Sequence, residues 1–272
     1  MAIRDILLAI ALFLNGASGY PATRLCRDLR CDYKTALVLL HKLRELMAAM
    51  KPDRKLNRCV EIDGYHMGGS VKKPNERKDK EGNIKNKPLK GTWVDKKREL
   101  SIVTLRERRR GGRTLCFILP HESKAIDIIK EHVDKSASIR TDGAGWWTVL
   151  GAHFRKARYV NHNQRFSDGK GVHTNFVESF NSRLFHGGKA YRHMAGPYLQ
   201  AYVDELAWRE DHRRVGNGAQ WGLLLGAAGK SRVSRQWKGY WQRRAPLPKP
   251  DPDPLNSQPE TVLEEGELRL AA

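Results

Sequence analysis

Three acidic residues stand where chemistry could be done: Asp63, Asp142 and Glu178. Asp63 closes the apolar-leaning run "RCVEIDG", and Asp142 closes "SASIRTDG". Glu178 lies in "HTNFVESFNSRLFHGG", which reads as a helix with Phe176, Val177, Phe180 and Leu184 on its apolar side. One carboxylate at a strand end commonly just meets solvent. Three brought together without a basic partner would repel, raising their pKa values or weakening the fold. Hard oxygen ligands suit Mg²⁺, and a pair of such ions would remove that conflict. Two metals about 4 Å apart can clamp the attacking and leaving oxygens of a phosphodiester displacement.

The elements that must position these acids follow from periodicity. In residues 59–63 strand alternation sets Glu61 and Asp63 on one face. "ELSIVTLRE" and "RTLCFIL" read as two further strands, joined by the basic hairpin turn "RERRRGGR", Arg106 to Arg113. Ser123 to Val133 is an amphipathic helix, Ser136 to Thr141 a strand, "AGWWTVLG" a helix or turn, and "ARYVNHN" one more strand. "PYLQAYVDELAWRED" is an amphipathic helix after the third acid. Trp146 and Trp147 read as core, with stacking on an unpaired base as the functional alternative.

Residues 2–50 read as all-helical. Ile3 to Leu14 is one helix, "PATRLCRDL" a second with Pro21 at its start, and "DYKTALVLLHKLRELMAAM" a third with Asp32 able to cap it. Ala36, Leu39, Leu40, Leu43, Met47 and Met50 recur at helical spacing, while Lys34, Lys42 and Arg44 lie off that stripe. This pattern fits a helix-turn-helix, whose last helix enters the major groove, or a plain three-helix bundle.

Charge separates the function classes. A formal net charge of +20 points to a polyanionic partner rather than to an ordinary metabolic substrate. The apolar run Ile6 to Leu14 is too short to span a bilayer and has no cleavage site after it, so the expected location is cytoplasmic, with no membrane partner. The four cysteines form no C-x-x-C pair and no zinc-ligand spacing. Residues 70–98 are a lysine-rich loop, and residues 245–272 a proline-rich, acidic tail expected to be disordered.

The motifs around the acids resemble the DDE superfamily of insertion-sequence transposases, in particular a bacterial group with a short RNase-H-like catalytic domain. The resemblance rests on "CVEIDGYHMGG", "IRTDGAGWW", "VHTNFVESFNSRLFHGGKAYRH" and "YLQAYVDELAWREDHR", from about Cys59 to Arg214. It implies an α+β fold: an RNase-H-like mixed sheet flanked by helices over 56–240, preceded by a helix-turn-helix domain over 1–52. It implies that Asp63 and Asp142 bind two Mg²⁺ ions, with Mn²⁺ an alternative, and that Glu178 completes the triad. Some members use an asparagine as third ligand, and Asn175 holds that place here. His173 and His162 would lie near the site.

The implied activity is metal-dependent cleavage and strand transfer at the ends of an insertion sequence. The partners are double-stranded DNA, both transposon ends and target, and further copies of the chain to pair two ends. A DNA-binding derivative that no longer cuts and a structure-selective nuclease are the alternatives. Candidate DNA contacts are Lys34, Lys42, Arg44, Lys72, Lys73, Arg108, Arg109, Arg110 and Arg183. Three departures from the family pattern stand out. Gly64 replaces an acid, Phe185 replaces a lysine expected seven residues after the glutamate, and a zinc ribbon common among relatives is absent.

Overall fold

A computed structural model describes residues 1–67, 100–142, 145–160, 173–191, 194, 198–234 and 237. The lysine-rich loop, with Lys72 and Lys73, lies outside the described residues. So do His162, the side chain of Trp146 and the proline-rich tail.

A five-stranded mixed sheet forms the centre, in the order β3-β2-β1-β4-β5. The strands are β1 (Cys59–Met67), β2 (Leu100–Glu107), β3 (Thr114–Leu119), β4 (Ser138–Asp142) and β5 (Lys156–Val160). The first three form an antiparallel meander, and β4 and β5 run parallel to β1. Helix α4 (Ala125–His132) and a 3-10 segment (Gly145–Ala152) cover one face; α5 (Asn175–Tyr191) and α6 (Leu199–His212) cover the other. This is the RNase-H-like arrangement that the motifs implied.

The strand pattern explains the two layers. On β1, Val60 and Ile62 enter the core under α4 together with Ile129 and Ile139. Glu61, Asp63 and Tyr65 face α5 and α6, as alternation requires. Interior strand β2 feeds both layers, Val103 and Leu105 to the first and Ile102 to the second. Trp147 is buried in the α4 layer, so it packs the core rather than offering a surface to a base. Helices α5 and α6 approach closely at Gly187, where a Cβ would come within 2.8 Å of the Leu206 side chain.

The amino-terminal helices are α1 (Ile3–Asn15), α2 (Ala22–Asp28) and α3 (Tyr33–Ala49). Asp32 stands at the start of α3, but its side chain makes no capping hydrogen bond. The core of these helices is not self-contained: Trp208 of α6 and Leu224 of α7 (Asn217–Lys230) belong to it. Helix α7 was not anticipated. Its sequence, "NGAQWGLLLGAAGK", spreads glycines through the helix, which lowers intrinsic helicity. Packing against α1 and α3 supplies what propensity lacks.

One candidate DNA contact is overturned here. Arg44 is 1% exposed and donates to Glu205 Oε2 at 2.7 Å. Glu205 also accepts from Arg209 Nε at 2.7 Å and from the Tyr191 hydroxyl at 2.5 Å. Burial pushes the Glu205 carboxyl up, but Arg44 and Arg209 outweigh it and hold it below the usual range. Arg209 in turn donates to the Phe13 carbonyl at 2.6 Å, one of the last carbonyls of α1 with no partner inside the helix. Arg44 is thus an internal cation locking α3 to α6, whereas Lys34 and Lys42 are exposed. Helical spacing separates apolar from polar positions; it does not say which polar position meets a buried carboxylate.

Candidate active site

The last register pair between β1 and β4 is Ile62–Thr141, so Asp63 and Asp142 come next, side by side on neighbouring parallel strands. Asp142 ends β4, whereas Asp63 sits mid-strand rather than at the strand end expected for it, because β1 runs on to Met67 along β2. Strands in a sheet are about 5 Å apart, which brings these side chains into one pocket. The site also lies at the junction where the sheet changes from antiparallel to parallel. Strand carboxyl ends at such a switch point are a common place for ligands.

Helix α5 brings the third acid. Its first turn is seated by Glu61, a fully buried carboxylate that accepts from the N–H groups of Phe176 at 2.8 Å and Val177 at 3.0 Å. A carboxylate there satisfies orphan helix donors and favours the positive end of the helix dipole. Arg108 donates to Glu61 Oε1 at 2.6 Å and also to the His173 carbonyl. Arg108 therefore ties the β2–β3 turn to α5. Glu178 follows on the first turn, where the Thr174 hydroxyl donates to its Oε1 at 2.5 Å.

Asp63 is held at both oxygens. The Gly64 N–H reaches Oδ1 at 2.9 Å and the Asn181 amide reaches Oδ2 at 2.8 Å. Asn181 is itself oriented by Thr104, whose hydroxyl donates to its carbonyl oxygen at 3.4 Å. Both donors to Asp63 are neutral. Burial first, then the charge of Asp142, push the Asp63 carboxyl up to about 7, and Glu178 and Glu122 add to the shift.

Glu122 explains Gly64. Its carboxyl occupies the space over Gly64, where a Cβ would come within 1.8 Å of Oε1. Glu122 is buried and lies 3.2 Å from His66 Nε2. A side chain at position 64 would collide with that carboxylate. The departure from the expected acid thus has a partner elsewhere in the chain.

The donor set suits hard divalent cations: oxygen ligands that repel one another, with Asp63 held only by neutral groups. Among the described residues, no three His, Cys, Asp or Glu side chains already converge closely enough to hold a metal ion. Asn175, the alternative third ligand, lines a neighbouring cavity rich in arginine together with Arg109, Arg110 and Arg183. Glu178, on the same turn, adds its charge to those raising Asp63.

Sequence reading set Glu61 on the face of Asp63 but gave it no role, and it missed Asn181 and Glu122. A charged residue two positions before Asp63, in a strand with apolar neighbours, is a signal that Glu61 has buried partners. Nothing local announces the other two.

Residues 55–211 match the family described as the ISXO2-like transposase domain. A comparison with curated proteins finds no match. Among solved structures the chain is similar to one titled "Crystal structure of the Mos1 Strand Transfer Complex". The two are 12% identical, the match covers 83% of this chain and 78% of that one, and the TM-score is 0.28. That likeness is too slight to bear on the chemistry. Among the described residues no helix is long and apolar enough to cross a membrane.

Proposed function

Since the chain belongs to the family of ISXO2-like transposase domains, matched over residues 55–211, we propose that it cuts DNA at the ends of an insertion sequence and joins those ends to target DNA. The observation that carries this reading is the placing of Asp63 and Asp142 next to each other on adjacent parallel strands, with burial, then the charges of Asp142 and Glu178, raising Asp63.

Asp63 and Asp142 would hold two Mg²⁺ ions, or Mn²⁺, with Glu178 as third ligand and Asn175 as the alternative. When bound, these ions supply Lewis-acid stabilisation of charge on the attacking and leaving oxygens. The chain's own residues do the rest. Asn181 and the Gly64 N–H fix the Asp63 carboxylate in one orientation. Glu61 fixes α5, and with it the reach of Glu178. Each reaction is a displacement at phosphorus: a water oxygen attacks first and a strand hydroxyl leaves. That hydroxyl then attacks a target phosphodiester, so one bond forms as another breaks and no covalent enzyme intermediate is needed. Lys34 and Lys42 on α3, in a helix-turn-helix formed by residues 1–52, would contact terminal DNA, and Arg109, Arg110 and Arg183 would contact phosphates. Lys72 and Lys73 would add non-specific attraction. Pairing two ends calls for at least two copies of the chain.

The test is incubation with Mg²⁺ and a duplex bearing the element's own ends. Nicking followed by joined product supports the proposal. Binding without nicking would make the chain a DNA-binding derivative, and nicking that ignores end sequence would make it a structure-selective nuclease. Asp63→Asn and Asp142→Asn should each abolish cleavage and leave binding intact.

A further inference from the structure

Beside the acids, on the other edge of α5, lies a cavity of about 210 Å³. Arg106, Arg109, Arg110, Arg183, Arg213 and Arg214 line it, from β2, the turn after it, α5 and the end of α6. Only two carboxylates share the lining, Glu210 and Asp211. Glu210 is divided among Arg106 at 2.7 Å, Arg183 at 2.5 Å and Arg213 at 3.6 Å. The cavity therefore keeps an excess of guanidinium charge. Burial also pushes the Asp211 carboxyl up to about 7, which weakens its share of the compensation near neutral pH.

Arg106 is 4% exposed, and its Nε has no hydrogen-bond partner among the described residues. Its other nitrogens are engaged, by Thr114 and Glu210. Glu210 and Asp211, the latter 3.6 Å from Arg106, are the carboxylates that face six guanidiniums here, and an anion entering the cavity would add compensating charge. Guanidinium forks fit phosphate oxygens in paired hydrogen bonds. Asn175 and Ser179, one turn apart on α5, add polar wall.

We propose that this cavity is a phosphate-binding site that grips one backbone phosphate of the DNA strand delivered to Asp63 and Asp142. It rests on the reading of DNA as substrate and deepens it. Helix α5 bears Glu178 on one edge and Asn175, Ser179 and Arg183 on the other, so a phosphate held there lies across the helix from the third acid. The site fixes the register of the strand and carries no base information.

The experiment measures binding of the full chain to a fluorescein-labelled 30-base-pair duplex in EDTA, by anisotropy, across a salt series. Arg213→Gln/Arg214→Gln removes two exposed guanidiniums from the rim. Lys124→Gln/Lys135→Gln removes equal charge from exposed positions beside α4, on the far face of the sheet. The rim variant should bind about tenfold more weakly at 150 mM KCl, with a salt slope shallower by about one to two phosphate contacts. The control should stay within about twofold of the unaltered chain. Equal loss in the two variants, or no loss in the rim variant, overturns the proposal. Inorganic phosphate is titrated in parallel. If it binds the unaltered chain through Arg213 and Arg214 while duplex affinity ignores them, the ligand is a free anion and the proposal falls. Because this readout uses no metal and no cleavage, it separates from the transposase reading. A rim-dependent affinity with no nicking in Mg²⁺ sinks that reading alone, and nicking and joining by a chain whose duplex affinity ignores the rim sinks the pocket alone.

Discussion

Asn181 on α5 donates its side-chain amide to Asp63 Oδ2 at 2.8 Å, joining the helix that carries the third acid to the strand that carries the first. Supports of this kind around ligating carboxylates are commonly worth 10- to 100-fold in activity. Asn181→Ala should lower the cleavage rate by about that factor while duplex affinity stays within about twofold. Unchanged cleavage would show that Asp63 needs no such support.

Asp63 sets a pH dependence. Its folded carboxyl titrates near 7, raised by burial and then by Asp142, while an unfolded aspartate titrates near 4. Between those values the folded chain holds a proton that the unfolded chain has lost. Raising the pH through that window therefore removes stability, by at most about 1.4 kcal/mol per pH unit. A divalent cation binds the charged form, so Mg²⁺ should raise Tm more at pH 8 than at pH 5.5. Asp63→Asn should flatten both trends. Asp211 titrates in the same range and leaves a residual slope in the variant.

Arg44 and Glu205 form a buried pair at 2.7 Å. Removing one partner strands a buried charge, so Arg44→Met should cost about 3–5 kcal/mol in urea unfolding. Lys42→Ala, at an exposed position of the same helix, should cost less than about 0.5 kcal/mol. Equal costs would mean that the pair does not lock α3 to α6.

His41 gives a test of opposite sign. Burial, then the charge of Arg44, push its imidazole down to about 3, and its ring stacks on Trp237 at 4.4 Å. Protons bind the unfolded chain preferentially below about pH 6.5, so stability present above that pH is lost as the pH falls. His41→Phe keeps the ring and removes the titration. Its Tm should gain on that of the unaltered chain steadily from pH 7 to 4.5. Parallel curves would refute the assignment.

Much of the layout was legible from periodicity. The strands bearing Asp63 and Asp142 and the helix bearing Glu178 follow from alternation and helical spacing, both properties of neighbouring residues, although β1 runs on past Asp63 to Met67. What stayed hidden was long-range. Asn181 meets Asp63 across 118 positions, and Arg44 meets Glu205 across 161. A sequence shows that Arg108 is charged; only the fold shows its guanidinium spent on Glu61. Gly64 looked like a loss at the site, and only the packed chain reveals Glu122 filling its space. Helix α7 was hidden for another reason, because glycines obscure a helix that tertiary contacts enforce.

The pairing of Trp208 and Leu224 with α1–α3 carries a consequence for how the molecule is made. As the chain leaves the ribosome, the apolar sides of its first helices have only one another to close against until α6 and α7 emerge. Folding must therefore finish late, with greasy helices waiting in the open. Synthesis in cells should lean on chaperones that shield such segments, and early stalling should yield aggregates rather than a folded amino-terminal fragment.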